Sequence, residues 1–292
     1  MQKTNHIPVL LKEVVTILNP KKFNLYIDAT FGTGGYTKSI LNKSLCNVLA
    51  LDCDQNTIRY ANEIKKIYFK RFNFTNKNFK DIELVLSKLN ISKINGIVFD
   101  LGVSSIQLNS KNRGFSFNKN ALLDMRMDIK LPLNAIHYIN TMHEKELSNL
   151  IYNFGGEKKS RFIAKNIIEF RKKNIEFVYE LVDAINAKKY KDKIHFATRT
   201  FQAFRIAVNN ELQNLKTILK KIPLLLSKNG IIAIVTFHSL EDKIVKYYFN
   251  KYLLKKNFKT TSNKIIIPTL SEIKRNPRAK SAKLRIIKKL NQ

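Results

Sequence analysis

A short apolar run, Leu25-Tyr-Ile-Asp-Ala29, passes directly into three glycines, Gly32, Gly34 and Gly35, and then into a helical pattern whose first apolar contacts are Ile40 and Leu41. Strand, glycine turn and helix in that order restrict the fold sharply. Glycine is demanded where such a turn takes positive φ, and where a Cβ would hold a ligand off the backbone. The unit brings bare N–H groups and a helix N-terminus up to a bound molecule. A chain organised around it is expected to be α/β, with its ligand at the carboxyl ends of parallel strands.

The rest of the chain repeats the alternation. Asn47–Leu51 reads as a second buried strand ending in Asp52-Cys-Asp54, with Asp54 a good N-cap for a helix over 55–66. Asp52 stands twenty positions after Gly32, where an acid accepts from the hydroxyls of a ribose. Phe72–Thr75 is a third strand, followed by Phe79 in a loop and a helix over 82–89. Ile94–Phe99 is a fourth strand, closing with Asp100-Leu-Gly-Val-Ser-Ser-Ile-Gln107. Between 109 and 195 no strand pattern occurs, only loops and helical segments, so this stretch is expected to be an inserted helical domain for substrate recognition. Residues 1–108 and 196–292 then make the main domain. There the pattern predicts one helix over 198–221 and a fifth strand, Ile231–Phe237, ending at His238-Ser-Leu-Glu-Asp242. Ile265–Ile267 and Leu284–Ile287 are expected to form an antiparallel edge pair.

A chain of 292 residues can bury a full core. Its longest apolar run, Ile231–Phe237, is too short to cross a bilayer, and charged residues break up any secretory signal in the first twenty positions. Cytoplasm is the expected location. Cys46 and Cys53 have no metal-type spacing, so neither a disulfide nor a metal site is expected. The net charge of +31 favours a polyanionic partner. Lysine outnumbers arginine 42 to 11, a bias that makes each retained arginine a place to look for a planar, bidentate contact.

Three ligands suit the glycine turn. A nucleoside triphosphate loop needs Lys-Ser/Thr after its last glycine, and Gly34-Gly35-Tyr36-Thr37 lacks it. A dinucleotide fingerprint meets Thr37 in place of its third glycine. S-adenosylmethionine asks only for the paired glycines, an acid ending the second strand, and polar or aromatic residues after the third and fourth. All are present.

The chain also resembles the bacterial 16S rRNA (cytosine-N4)-methyltransferase family (RsmH/MraW). The resemblance is carried by His6-Ile-Pro-Val-Leu-Leu-Lys-Glu13, Asp28-Ala-Thr-Phe-Gly-Thr-Gly-Gly35, Asp100-Leu-Gly-Val-Ser-Ser105, Arg113-Gly-Phe-Ser-Phe117, Leu123-Asp-Met-Arg-Met-Asp128, Ala197-Thr-Arg-Thr-Phe-Gln-Ala203, Phe237-His-Ser-Leu-Glu-Asp242 and Asn276-Pro-Arg-Ala279. It implies a class I S-adenosylmethionine-dependent methyltransferase fold, Rossmann-like, with a mostly parallel seven-stranded sheet and a helical insertion. It implies methylation of N4 of a cytidine in the decoding centre of 16S ribosomal RNA, within the small ribosomal subunit and away from any membrane, with room for a homodimer. The family's cofactor contacts fall on Gly34, Gly35, Tyr36, Asp52, Phe79, Asp100 and Gln107; the family usually has His at the position of Tyr36. For the chemistry, Asp100 is one candidate to draw off the amine proton and His238 another. Arg113, Arg126, Arg199 and Arg205 are expected to border the mouth of the site and contact RNA. Among methyltransferases of DNA or protein amines, the DNA amino-methyltransferases usually show Asp/Asn/Ser-Pro-Pro-Tyr/Phe after the fourth strand, which Asp100-Leu-Gly-Val is not. A basic RNA-assembly protein without catalysis would not need an intact cofactor edge.

Overall fold

The computed structural model describes residues 8–185, 195–254, 257–261 and 265–290. They divide into two compact units, Met1–Gly102 with Leu212–Gln292, and Val103–Glu211. The first unit is a seven-stranded sheet in the order β3-β2-β1-β4-β5-β7-β6. Its strands are β1 (Leu25–Asp28), β2 (Asn47–Leu51), β3 (Phe72–Thr75), β4 (Ile94–Asp100), β5 (Leu226–Thr236), β6 (Phe258–Thr260) and β7 (Lys283–Lys289). Strands β1 to β5 run parallel, and β7 pairs antiparallel with both β5 and β6.

Period-two alternation explains why this sheet needs helices on both faces. Ile27, Leu49, Ile97, Phe99, Ile232 and Ile234 point into one core with α4 (Ile82–Lys88), α11 (Glu211–Leu225) and α12 (Ser239–Leu254). Their neighbours Tyr26, Val48, Val98, Ala233 and Val235 point the other way, onto α1 (Leu11–Leu18), α2 (Gly35–Lys43) and α3 (Ile58–Ile67). A short helix α13 (Leu270–Arg275) precedes β7.

The second unit is helical. It contains α5 (Ser105–Asn109), α6 (Ala135–Thr141), α7 (Glu144–Gly155), α8 (Ser160–Phe170), α9 (Val178–Ile185) and α10 (Thr198–Asn209). Their buried stripes, among them Leu147, Ile151, Ile163, Ile167, Leu181, Phe201 and Phe204, make a separate core. Helices α7 and α10 approach closely because Gly155 has no side chain; a Cβ there would lie 2.4 Å from the Arg199 carbonyl oxygen.

Three readings of the sequence need correction. The helix over 198–221 is two helices, because Asn210 takes a left-handed φ of 51° and ends α10. Residues 103–108 and 196–211 fall in the helical unit, since Ala197, Phe201, Phe204 and Val208 bury their apolar stripe in its core. At the sheet edge, Ile266 makes only an isolated bridge to Leu284; the strand that pairs with β7 is Phe258–Thr260, too short and too polar to stand out in the sequence. His6 and Ile7, and positions 186–194 of the stretch expected to be an inserted helical domain, lie outside the described residues.

Candidate active site

The glycine turn is held from beneath by a carboxylate. Asp28, the last residue of β1, is fully buried. Its Oδ2 accepts from the backbone N–H of Thr37 at 3.1 Å and from the Thr37 hydroxyl at 2.7 Å, while Oδ1 accepts from Thr30 N–H at 3.4 Å. Burial pushes Asp28 up to about 6, opposed by these hydrogen bonds to its charged form. Thr37, which stands where a dinucleotide fold has its third glycine, therefore anchors the turn to the strand.

Above this tie, Gly32 and Gly34 take φ values of +54° and +79°. A Cβ on Gly34 would come within 2.3 Å of Ile64 Cδ1 and 2.7 Å of Phe31, whereas one on Gly32 would meet nothing within 4 Å. The turn is packed tightly at Gly34 and left open at Gly32. Gly34→Ala is expected to cost about 2–3 kcal/mol of stability through strain and overpacking. It should also weaken cofactor binding at least tenfold, read by calorimetry and denaturant unfolding.

Gly34 and Gly35 open α2, and Tyr36 follows them. The Tyr36 ring is buried in the core, and its hydroxyl donates to the carbonyl of Val9. Burial, with the nearby Asp100 and Asp28 charges adding to it, holds this phenol well above its ordinary range, so it stays a donor. Any contact of Tyr36 with a ligand at the turn must then come from its backbone. Its ring belongs to the core rather than to the site.

The next strand ends complete the edge. Asp52, following β2, accepts from Gly32 N–H at 2.8 Å and from Asp54 N–H at 2.9 Å. It is half-buried, and desolvation pushes its carboxyl up to about 7. After β3, Phe79 is half-buried with its ring edge-to-face on Phe99, the centroids 5.6 Å apart. Asp100 closes β4. Its backbone N–H donates to the Thr30 hydroxyl at 2.6 Å, linking it to the glycine turn. Its Oδ1 is buried without a hydrogen-bond partner. Burial above all, with the Asp28 and Glu241 charges reinforcing it, raises this carboxyl to about 8.

His238, at the end of β5, is engaged by the start of α12. Its Nδ1 accepts from Glu241 N–H at 3.4 Å, and its Nε2 stands 3.1 Å from Glu241 Oε1, at ion-pairing distance. The other oxygen of Glu241 accepts from Phe237 and His238 N–H at 2.8 and 3.3 Å. This reciprocal arrangement is that of a capping box.

Four parallel strand ends thus present open backbone, a ribose-type acid, an aromatic ring and a buried carboxylate along one edge. A model of the MraW methylase family matches residues 3–290. The chain belongs to the MraW methylase family. It is 47% identical to the ribosomal RNA small subunit methyltransferase H of Ehrlichia canis, over 98% of this chain and all of that one. The proteins of the same name from a Wolbachia of Drosophila simulans and from Rickettsia prowazekii are 44% and 43% identical, each over 98% of this chain and 98% or more of their own length. Like its family, this methyltransferase uses S-adenosylmethionine and has the class I Rossmann-like fold.

The residues present suit that cofactor. The open face at Gly32 admits a ligand against the backbone, and the orphaned Asp100 Oδ1 is an acceptor awaiting a donor. Asp52 would take the ribose hydroxyls, Phe79 would line the adenine side, and the Gly34–Tyr36 backbone would meet the methionine portion.

The remaining sequence candidates lie in the helical unit and behave differently. Gln107 is buried, and its Oε1 accepts from Ser104 N–H at 2.9 Å in the capping box of α5, so that side-chain oxygen is already engaged. The arginines expected at an RNA border are tied to their own unit. Arg113 is buried and donates to the carbonyls of Arg126 and Met127 at 2.6 and 3.1 Å. Arg126 grips Asp124 through Nε and Nη2 at 2.9 and 2.7 Å, and its Nη1 reaches the carbonyls of Ile129 and Leu131. Arg205 makes the same two-point grip on Glu211 at 2.8 and 2.9 Å. Arg199 lies 3.3 Å from Glu157 and, with 36% of its side chain exposed, is the most accessible of the three in ion pairs. Scarcity of arginine does mark bidentate sites here, but their partners are internal carboxylates and carbonyls. Sequence reasoning also missed Asp28 and Glu241 as organisers. Thr37 in place of glycine was a signal for the first, and the Ser-Leu-Glu run after His238 for the second.

Proposed function

We propose that this chain methylates N4 of a cytidine in the decoding centre of 16S ribosomal RNA, in the context of the small ribosomal subunit. Its curated relatives are named as small-subunit ribosomal RNA methyltransferases, which supports the RNA as substrate. The observation that carries the chemistry is the buried, unpartnered Oδ1 of Asp100, beside the glycine turn at the end of β4.

Bound S-adenosylmethionine supplies a methyl group that is already electrophilic, so the chain's own task is alignment and proton handling. The exocyclic amine of cytosine is a poor nucleophile because its lone pair is delocalised into the ring. The Asp100 carboxylate accepts an N–H of that amine, localises the lone pair and takes up the proton as the new N–C bond forms. Phe79 and the turn exclude water on the cofactor side. His238, held by Glu241 at the neighbouring strand end, acts as a positioning residue for the Phe237–His238 backbone. The target cytidine reaches the site splayed from its stack, which is how a base amine becomes accessible in RNA.

Mapping N4-methylcytidine in 16S RNA from cells with and without this gene tests the reading. One decoding-centre cytidine should lose its N4 methyl and regain it when the wild-type chain is restored. Unchanged methylation at every cytidine would sink it.

A further inference from the structure

At the opposite ends of the same strands lies a surface that the cofactor edge does not use. The strand registers pair Leu25 with Asn47 and Val48 with Phe72, so the turns that lead into β1, β2 and β3, which hold Phe23, Leu45 and Phe69, lie side by side at the amino end of the sheet. All three are exposed, at 76%, 57% and 70%, and Ile67 beside them is 71% exposed. Their backbone is fixed: Phe23 N–H donates to the Leu45 carbonyl at 3.1 Å, and Arg71 Nη1 reaches the carbonyls of Leu41, Ser44 and Cys46. Exposed Lys21, Lys22, Lys43, Lys65, Lys66 and Lys70 lie in the segments 20–24, 42–46 and 64–71, which contain no acid, with exposed Glu63 one position outside them in α3.

Phe23 adds an independent sign. It holds a left-handed φ of 67°, a conformation that glycine or asparagine adopts far more cheaply than a bulky side chain. A strained aromatic that is also three-quarters exposed contributes little to folding, and strain of this kind collects where a side chain is kept for contact. Lys22 Nζ sits over the Phe23 ring, 4.7 Å from its centroid.

We propose that this amino-end patch is a second RNA anchor, in which Phe23 and Phe69 stack on unpaired bases while the surrounding lysines neutralise the flanking phosphates. Rings interleaved with cations are the means by which proteins hold single-stranded RNA. A bilayer would match the charge equally well, but burying Phe23 in lipid would carry the Lys22 ammonium with it. The anchor rests on the reading of RNA as substrate. It places a binding contact on the far side of the sheet from the chemistry, so it contributes to affinity and not to turnover.

The test uses the full chain with Phe23→Asn and Phe69→Ala, singly and together. Protein-free 16S RNA and small subunits are the probes, alongside phosphatidylglycerol vesicles. The double variant is expected to raise the KM and Kd for RNA about tenfold or more, with kcat at saturating RNA and the Kd for S-adenosylmethionine unchanged. Phe23→Asn alone should leave the Tm equal or higher while weakening RNA binding, a split that a structural role would not produce. Wild-type methyl transfer with an unchanged KM in the double variant overturns the anchor alone. Loss of vesicle binding with RNA affinity intact overturns it in favour of lipid. Absence of methyl transfer to 16S RNA by the wild-type chain overturns the substrate reading and the anchor with it.

Discussion

Asp100→Asn is expected to lower kcat about 10²–10³-fold, because the amide cannot take up the amine proton. Binding of S-adenosylmethionine should change far less, so calorimetry separates this variant from a misfolded one. The same substitution should leave a signature in stability. The Asp100 carboxyl rises from its ordinary 3.8 to about 8 in the folded chain. A group raised in this way keeps more of its proton folded than unfolded, so its stabilising contribution is complete below pH 3.8 and is lost as pH climbs through about 8. The variant should therefore gain on the wild type across that window, by on the order of a few kcal/mol at pH 9, and the gain should shrink towards pH 5. In the free enzyme, kcat/KM should rise with pH through about 8 as the carboxylate forms, and the variant should lack that limb. An Asp100→Asn chain with near-normal kcat would assign the acid to cofactor binding alone.

Asp28→Ala is the other large effect. No ligand need touch Asp28, yet it accepts three hydrogen bonds from the turn that would. Removing it strands the buried Thr37 N–H and hydroxyl, at a cost of roughly 3–5 kcal/mol. Freed from β1, the turn should bind S-adenosylmethionine at least about 10²-fold more weakly. Thr37→Val supplies the control, since it deletes the hydroxyl but keeps the backbone donor. It should cost about 1–2 kcal/mol and only a modest part of the affinity. If Asp28→Ala bound cofactor normally, the turn would not depend on this tie.

How much of the site was legible in the sequence depends on how local each contact is. Gly34, Asp52 and Asp100 could be placed because a strand end followed by glycine or acid is a short-range pattern, and parallel pairing brings all such ends to one edge. The arginines show the opposite case. Arg199 meets Glu157 across 42 positions, and Arg113 reaches carbonyls 13 and 14 positions away. Nothing in composition says whether a guanidinium will meet phosphate or a carboxylate of its own unit. For Arg126 the signal was present in Asp124, two positions earlier, and a nearby acid is a reason to expect an internal pair.

By itself the amino-acid sequence determined the α/β alternation, the glycine turn, the insertion and the family, because each is written in periods and spacings of a few residues. The tertiary structure alone decided which of those residues still have chemistry to offer. It turned the ring of Tyr36 into the core, engaged the Gln107 oxygen in a cap and tied the arginines inside the helical unit. It left Asp100 Oδ1 buried without a partner, and it set exposed Phe23, Leu45 and Phe69 on adjacent turns at the amino end of the sheet. The physical reason is the same throughout: burial and pairing are properties of neighbours distant in the chain, and only the packed sheet and helices choose them.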